Sequence, residues 1–194
     1  MKLKAINVAI VAIGLSLPLA TIAASTESPA TGVVSQKTDL SQPNQSDSAI
    51  LAWASPKAVA IFSYDYKNYR RELQKLSKSF TASGWSQFVK ALKNSKNLDA
   101  VKNKQLTVSA VVTATPVILQ KGVLNHVYSW RVQMPMTVSY KGPSTNEQQK
   151  NIVTMLITRT SSVSAPTEVA INQFVVGPAS GENNSNVTDQ KTAQ

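Results

Sequence analysis

No cysteine occurs in the 194-residue chain. Disulfide staples and thiol chemistry are excluded with it. A single histidine, His126, rules out a metal site built mainly on imidazole and gives a serine nucleophile only one candidate base. Acidic side chains are scarce, 10 Asp and Glu against 20 Lys and Arg, for a net charge of +10. In the stretch that reads as folded, only Asp65, Glu72, Asp99, Glu147 and Glu168 carry carboxylates. They are scattered over helices and loops, so no carboxylate pair is expected. No glycine-rich phosphate loop appears either. The expectation is a protein that is not an enzyme, with no catalytic residue, no metal ligand set and no cofactor.

What is present begins with an export signal. Lys2 and Lys4 precede an uncharged run, Ala5 to Ala24. The run closes on Leu17-Pro18-Leu19-Ala20-Thr21-Ile22-Ala23-Ala24, a helix breaker followed by small residues, as a cleavable signal peptide does. About 20 apolar residues are also enough for an uncleaved anchor. Either way the rest of the chain is expected outside the cytoplasm, and a cysteine-free exported domain suits a periplasm. Residues 25–54 are rich in Ser, Thr, Gln, Pro and Asn and read as a disordered linker, and residues 179–194 as a disordered tail. The folded unit is expected over residues 55–178. It holds 16 Lys and Arg against 5 Asp and Glu, a net of +11.

Ser55 and Pro56 read as N-cap and first turn of a long helix. Large side chains then recur at Val59, Phe62, Tyr66, Tyr69, Leu73, Leu76 and Phe80, at the three-four spacing of one helical face. Tyr66 and Tyr69 are therefore expected in the core, and Tyr64, off the stripe, at the surface. A second helix starts at Thr81 or Ser83, burying Trp85, Phe88, Val89 and Leu92, and Leu98 to Val101 adds a further turn. Lys90, Lys93, Lys96, Lys102 and Lys104 read as a solvated lysine face. Acidic lipid head groups or an acidic protein are its next readings. No exposed aromatics interleave with these lysines, and nucleic acid is not expected as a partner.

After Lys104 the period changes to two. Gln105 to Thr115 reads as a strand with Leu106, Val108 and Ala110 on one face, and Val117 to Leu119 as its continuation past a bend at Pro116. Lys121-Gly122 reads as a turn. Leu124 to Tyr140 forms the next strand, with Trp130, Val132, Met134, Met136 and Val138 inward, and His126 partly buried near its start. Pro135 falls on the opposite face, at an edge or bulge. A polar loop over Lys141 to Glu147 leads to strands at Asn151 to Thr160 and Val169 to Val176. Helices followed by strands indicate an α+β fold. Three helical pieces packed in a curved four-stranded antiparallel sheet match an NTF2-like cone. Such a cone also admits a small hydrophobic ligand.

Several segments taken in order resemble one family. They are Tyr64-Asp65-Tyr66-Lys67-Asn68-Tyr69-Arg70, Phe80-Thr81-Ala82-Ser83-Gly84-Trp85, Val108 to Ile118, and Gln173-Phe174-Val175-Val176-Gly177. The block Tyr128-Ser129-Trp130-Arg131-Val132-Gln133-Met134-Pro135-Met136 is the most specific. Together they resemble the DotI/IcmL family of type IVB secretion systems over about Ala54 to Gly177. The resemblance implies a VirB8-like periplasmic domain that works by protein contact, self-associates, and meets other inner-membrane and periplasmic proteins of the apparatus. Members of that family carry a cytoplasmic segment and a transmembrane helix ahead of the domain. Here Met1 to Lys4 alone precedes the apolar run, so a free or weakly anchored periplasmic relative is expected. Tyr64, Arg70 and Arg71 on the first helix and Arg131 on the sheet are the candidate contact residues, chosen for expected exposure and charge.

Overall fold

The structure, a computed structural model, describes residues 39–161 and 168–179. The expected signal over residues 1–24, and the tail beyond Ala179, lie outside the described residues.

The first helix, α1, spans Asp47–Ile61 and so starts within the stretch that reads as linker. Ser46 caps it in extended conformation, its Oγ accepting from the Ala49 amide at 3.2 Å. Ile50, Ala54, Ala58 and Ile61 recur along its buried face. Pro56 therefore sits inside the helix and not at its first turn.

The single long helix expected up to Phe80 is broken by two side chains. Asp65 Oδ1 accepts from the amides of Lys67 and Asn68 at 2.7 and 2.9 Å, and Asn68 Oδ1 accepts from the Asp65 amide at 2.8 Å. These local bonds outcompete helix continuation. They leave a two-residue strand, β1 (Tyr64–Asp65), followed by α2 (Tyr69–Ser77). Tyr66 and Tyr69 are half-buried against the core as the spacing implies. Tyr64 is not exposed: as part of β1 it points inward and retains 4 % exposure.

Helix α3 (Ala82–Asn94) is capped by Thr81, whose Oγ1 accepts from the Gly84 amide at 3.0 Å. Helix α4 (Asn97–Asn103) follows after Lys96, which takes a left-handed turn at φ 57°.

Among the described residues the sheet has six strands, not four. Besides β1 they are β2 (Thr107–Val112), β3 (Val117–Leu124), β4 (Val127–Gly142), β5 (Thr145–Arg159) and β6 (Val169–Pro178). All pair antiparallel in the order β1-β2-β4-β5-β6, with β3 also on β4. One edge of β4 serves two partners: Met136–Lys141 pairs with β2, and Val127–Gln133 with β3. Pro135 stands between them. Its carbonyl accepts from Thr113 at 3.0 Å. In a strand the N and O of one residue face the same edge. The missing N–H of Pro135 thus falls in the gap where the chain passes from β2 to β3, which is how a central strand tolerates proline.

Two tight turns replace expected features. Lys121-Gly122 lies within β3; the reversal comes at Asn125-His126, φ 50° and 64°, with Leu124 opposite Val127. Both residues left-handed over a two-residue loop is the favoured hairpin geometry. His126 is consequently exposed in the turn and not part of the inward face. The polar loop expected at Lys141 to Glu147 is a hairpin in which Gly142 already pairs with Thr145.

The inward residues of β4, Trp130, Val132, Met134, Met136 and Val138, are all buried, facing Val153, Met155 and Ile157 of β5 and Ala110 and Val112 of β2. Helix α1 lies across β2, β3 and β4 on this side, and α3 lies along β6. Fully burying each such side chain stabilises the fold by roughly 1.5–3 kcal/mol.

Ahead of α1 the chain is strapped to one pole. The Tyr128 amide donates to the Leu40 carbonyl at 2.7 Å. Buried Arg159 donates through one terminal nitrogen to the carbonyls of Asp39 and Gln42, and through the other to Glu168 at 3.2 Å. Asn44 Nδ2 reaches the same Glu168 carboxylate at 3.3 Å.

Candidate functional site

The four sequence-chosen contact residues do not converge. Tyr64 is removed from the set by burial. Desolvation, with Tyr140 close by, pushes its phenol well above the usual range. Arg70 and Arg71 are exposed on α2, on the helix side of the sheet. Arg70 lies over the Tyr69 ring at 5.6 Å and donates to its hydroxyl at 3.0 Å. Arg71 pairs with Glu72 at 2.9 Å, and Lys75 with the same carboxylate at 3.1 Å. These two bases hold the Glu72 carboxyl below its ordinary range. Arg131 stands on the opposite face of the sheet, opposite Gln120 of β3 and Leu156 of β5.

The β3 edge of the sheet holds the feature that sequence reasoning missed. The exposed large apolar side chains among the described residues are Val111, Val117, Leu119, Val123 and Leu124, each about half exposed or more, from 47 to 60 %. Four of them belong to β3 and the fifth to the end of β2. β3 pairs only with β4, so its other backbone edge carries no strand among the described residues. Leu119 is the extra residue of a bulge between Ile118 and Gln120. A shallow cavity of about 140 Å³ opens beside the strand, lined by Gln120, Gly122, Leu124, Ser129, Arg131 and Leu156. An apolar edge with free N–H and C=O groups is what β-strand addition needs. In the sequence, Val117 to Leu119 reads only as extended backbone past Pro116, and no exposed edge is expected there.

No group of three or more His, Asp and Glu able to hold a metal occurs among the described residues. The buried polar groups serve structure: Ser129 and Thr158 face each other across β4 and β5, and Arg159 holds the strap. No described helix is long and apolar enough to cross a membrane.

Helices lodged against a curled antiparallel sheet define an NTF2-like, VirB8-like fold. The model of the type-IV b secretion system DotI/IcmL family, described as an inner-membrane complex component, matches residues 15–178. The chain belongs to that family, and is a type IV secretion system component. It is similar to the periplasmic domain of DotI, with 61% identity and a TM-score of 0.68, covering 70% of this chain and 97% of that one. An IcmL-like type IV secretion system protein from Legionella pneumophila subsp. pneumophila str. Philadelphia 1 is 27% identical, with a TM-score of 0.63 and coverage of 72% and 97%. CagV, a VirB8 homologue of Helicobacter pylori strain 26695, shares the fold alone, at 12% identity and a TM-score of 0.54, covering 69% of this chain and 99% of that one. No curated protein matches the sequence.

Proposed function

We propose that this chain is a non-catalytic assembly component of a type IVB secretion apparatus, working in the periplasm by protein contact. Residues 1–24 act as export signal or anchor, and a polar linker leads to the folded domain. Its partners are other inner-membrane and periplasmic subunits, together with further copies of itself. Similarity to a periplasmic domain of DotI supports the compartment. One observation carries the contact reading: four of the five exposed large apolar residues gather on β3, whose far edge carries no strand among the described residues. A partner strand added there gains main-chain hydrogen bonds and covers Val117, Leu119 and Val123. Arg131, beside the strand, adds a charge-assisted donor. Arg70 and Arg71 lie on a separate face and serve a separate contact.

A photo-crosslinking residue at Leu119 tests this in living envelopes. Crosslinks to secretion-system subunits, or to a second copy, are expected there and not from Ser83 on α3. Recovery of the native protein from detergent-solubilised envelopes with no secretion component would count decisively against it.

A further inference from the structure

Helix α3 carries a surface that the β3 contact leaves unused. Trp85, Ser86, Val89, Lys90 and Lys93 line an open groove of about 460 Å³ along the helix. Trp85 is half-buried and held in place: its ring lies 5.6 Å from Phe80 and 5.5 Å from Phe88. Lys90 and Lys93 are exposed, and neither makes an ion pair among the described residues.

The charge here has one sign. From Leu73 to Leu98 the sequence has no Asp or Glu, while Lys75, Lys78, Lys90, Lys93 and Lys96 fall within it. β6, which supports α3 from behind, has no charged residue at all. A fixed aromatic ring with an aliphatic neighbour and two unpaired lysines is the combination that suits the boundary between a bilayer and water. There the ring sits at head-group level and the lysines meet lipid phosphates.

The strap fixes where this groove lies relative to the upstream chain. Leu40 and Thr81, the cap of α3, line one cavity of about 330 Å³, together with Arg159 and Asn172. The chain therefore joins the domain beside the N-terminus of α3, one helical turn from Trp85. The stretch from Ala24 to Asp39 can reach at most about 50 Å when fully extended. If Ala5 to Ala24 stays in the inner membrane, the α3 face is held within that distance of lipid.

We propose that the Trp85–Val89–Lys90–Lys93 face of α3 docks on an anionic phospholipid bilayer. It rests on the periplasmic, inner-membrane reading of function but involves no secretion subunit. Docking orients the domain with β3 turned toward its protein partners.

The full chain in nanodiscs tests it, in a Trp53→Phe background. Trp130 is fully buried, so the lipid-sensitive emission belongs to Trp85. Nanodiscs contain brominated phosphatidylcholine, with or without phosphatidylglycerol. Strong quenching of Trp85 is expected only with phosphatidylglycerol, and high salt should relieve it. Lys90→Gln together with Lys93→Gln should shift the docked–undocked balance roughly 10- to 30-fold toward undocked, on the order of 1 kcal/mol per lysine. An unchanged thermal melt of that variant excludes misfolding. Equal quenching with and without the anionic lipid overturns the proposal, as does no quenching in either. So does quenching retained in the double variant. Protection of Trp85 by an acidic peptide in detergent, with no response to the nanodisc, assigns the face to protein and overturns it as well. Each of these results leaves the Leu119 crosslink free to succeed or fail.

Discussion

Gly84 of α3 rests directly on the carbonyl oxygen of Ile171 in β6: a Cβ at Gly84 would stand 2.5 Å from that oxygen and 2.8 Å from that of Asn172. Backbone, not a pliable side chain, occupies the space. Thr81 fixes the same approach, its amide donating to Ile171 at 3.0 Å and its hydroxyl to Asn172 Oδ1 at 2.9 Å. Gly84→Ala should therefore push α3 off the sheet and cost about 1–3 kcal/mol. The urea midpoint falls if this holds; an unchanged midpoint would show that α3 has room to shift.

Arg159 is the second point of leverage. It is buried to 7 % exposure and holds two strap carbonyls and Glu168. Arg159→Met keeps the bulk and removes the donors. The orphaned groups should cost about 1–3 kcal/mol. Deuterium exchange at the Tyr128 amide, which donates to Leu40, should accelerate well before the core amides do. Exchange there unchanged from wild type would mean that the strap holds without its arginine.

Alkaline pH should unfold the protein through Tyr64. Burial raises its phenol pKa above 10.0, and burial likewise raises that of Tyr140 two strands away. Below about pH 10 both folded and unfolded chains keep these protons, and the tyrosines impose no pH slope. Above it the unfolded chain releases protons that the folded one retains, so stability falls as pH rises. Tyr64→Phe should flatten this slope in denaturation curves taken between neutral and strongly alkaline pH. A slope identical to wild type would show that lysine titration, and not the buried phenol, dominates.

Leu119→Lys combined with Val123→Lys should separate folding from assembly. Both side chains are more than half exposed. The substitutions should change stability by no more than about 0.5 kcal/mol, while charges on the free edge block strand addition. Loss of co-purifying secretion subunits with an unaltered melting curve is the expected pair of results. Subunits that still co-purify would move the contact surface away from β3.

The parts of this fold that sequence made legible are those where one face is buried over a long run. The alternation from Trp130 to Val138 is such a run, because burial imposes the period of the element; in α3 only Gly84 is fully buried, and Trp85, Phe88, Val89 and Leu92, read as its buried stripe, stay partly exposed. Short polar decisions were not legible in the same way. Ser55-Pro56 has the chemistry of a helix start, but Ser46 starts the helix earlier and Pro56 is accepted inside it. The mutual bonds of Asp65 and Asn68 broke a stripe whose spacing ran on unbroken, and so turned Tyr64 inward. Asn125-His126 took the reversal that Lys121-Gly122 seemed suited to, which lengthened β3 and brought its apolar residues to the surface. Exposure of an apolar strand depends on which neighbours are missing, and that is a property of topology and not of the strand's own residues.

β4 is one unbroken strand of 16 residues, bonded to β5 along one edge and to β2 and β3 in turn along the other. Anything that grips β3 therefore pulls on β4, and its ladders hand the load to both flanking strands. Under a load along the strands, the hydrogen bonds of such a ladder lie across the direction of pull, so they share the force and do not open one after another. On the proposed assembly role, β4 would serve as a tie between whatever grips β3 and the strands on either side of it.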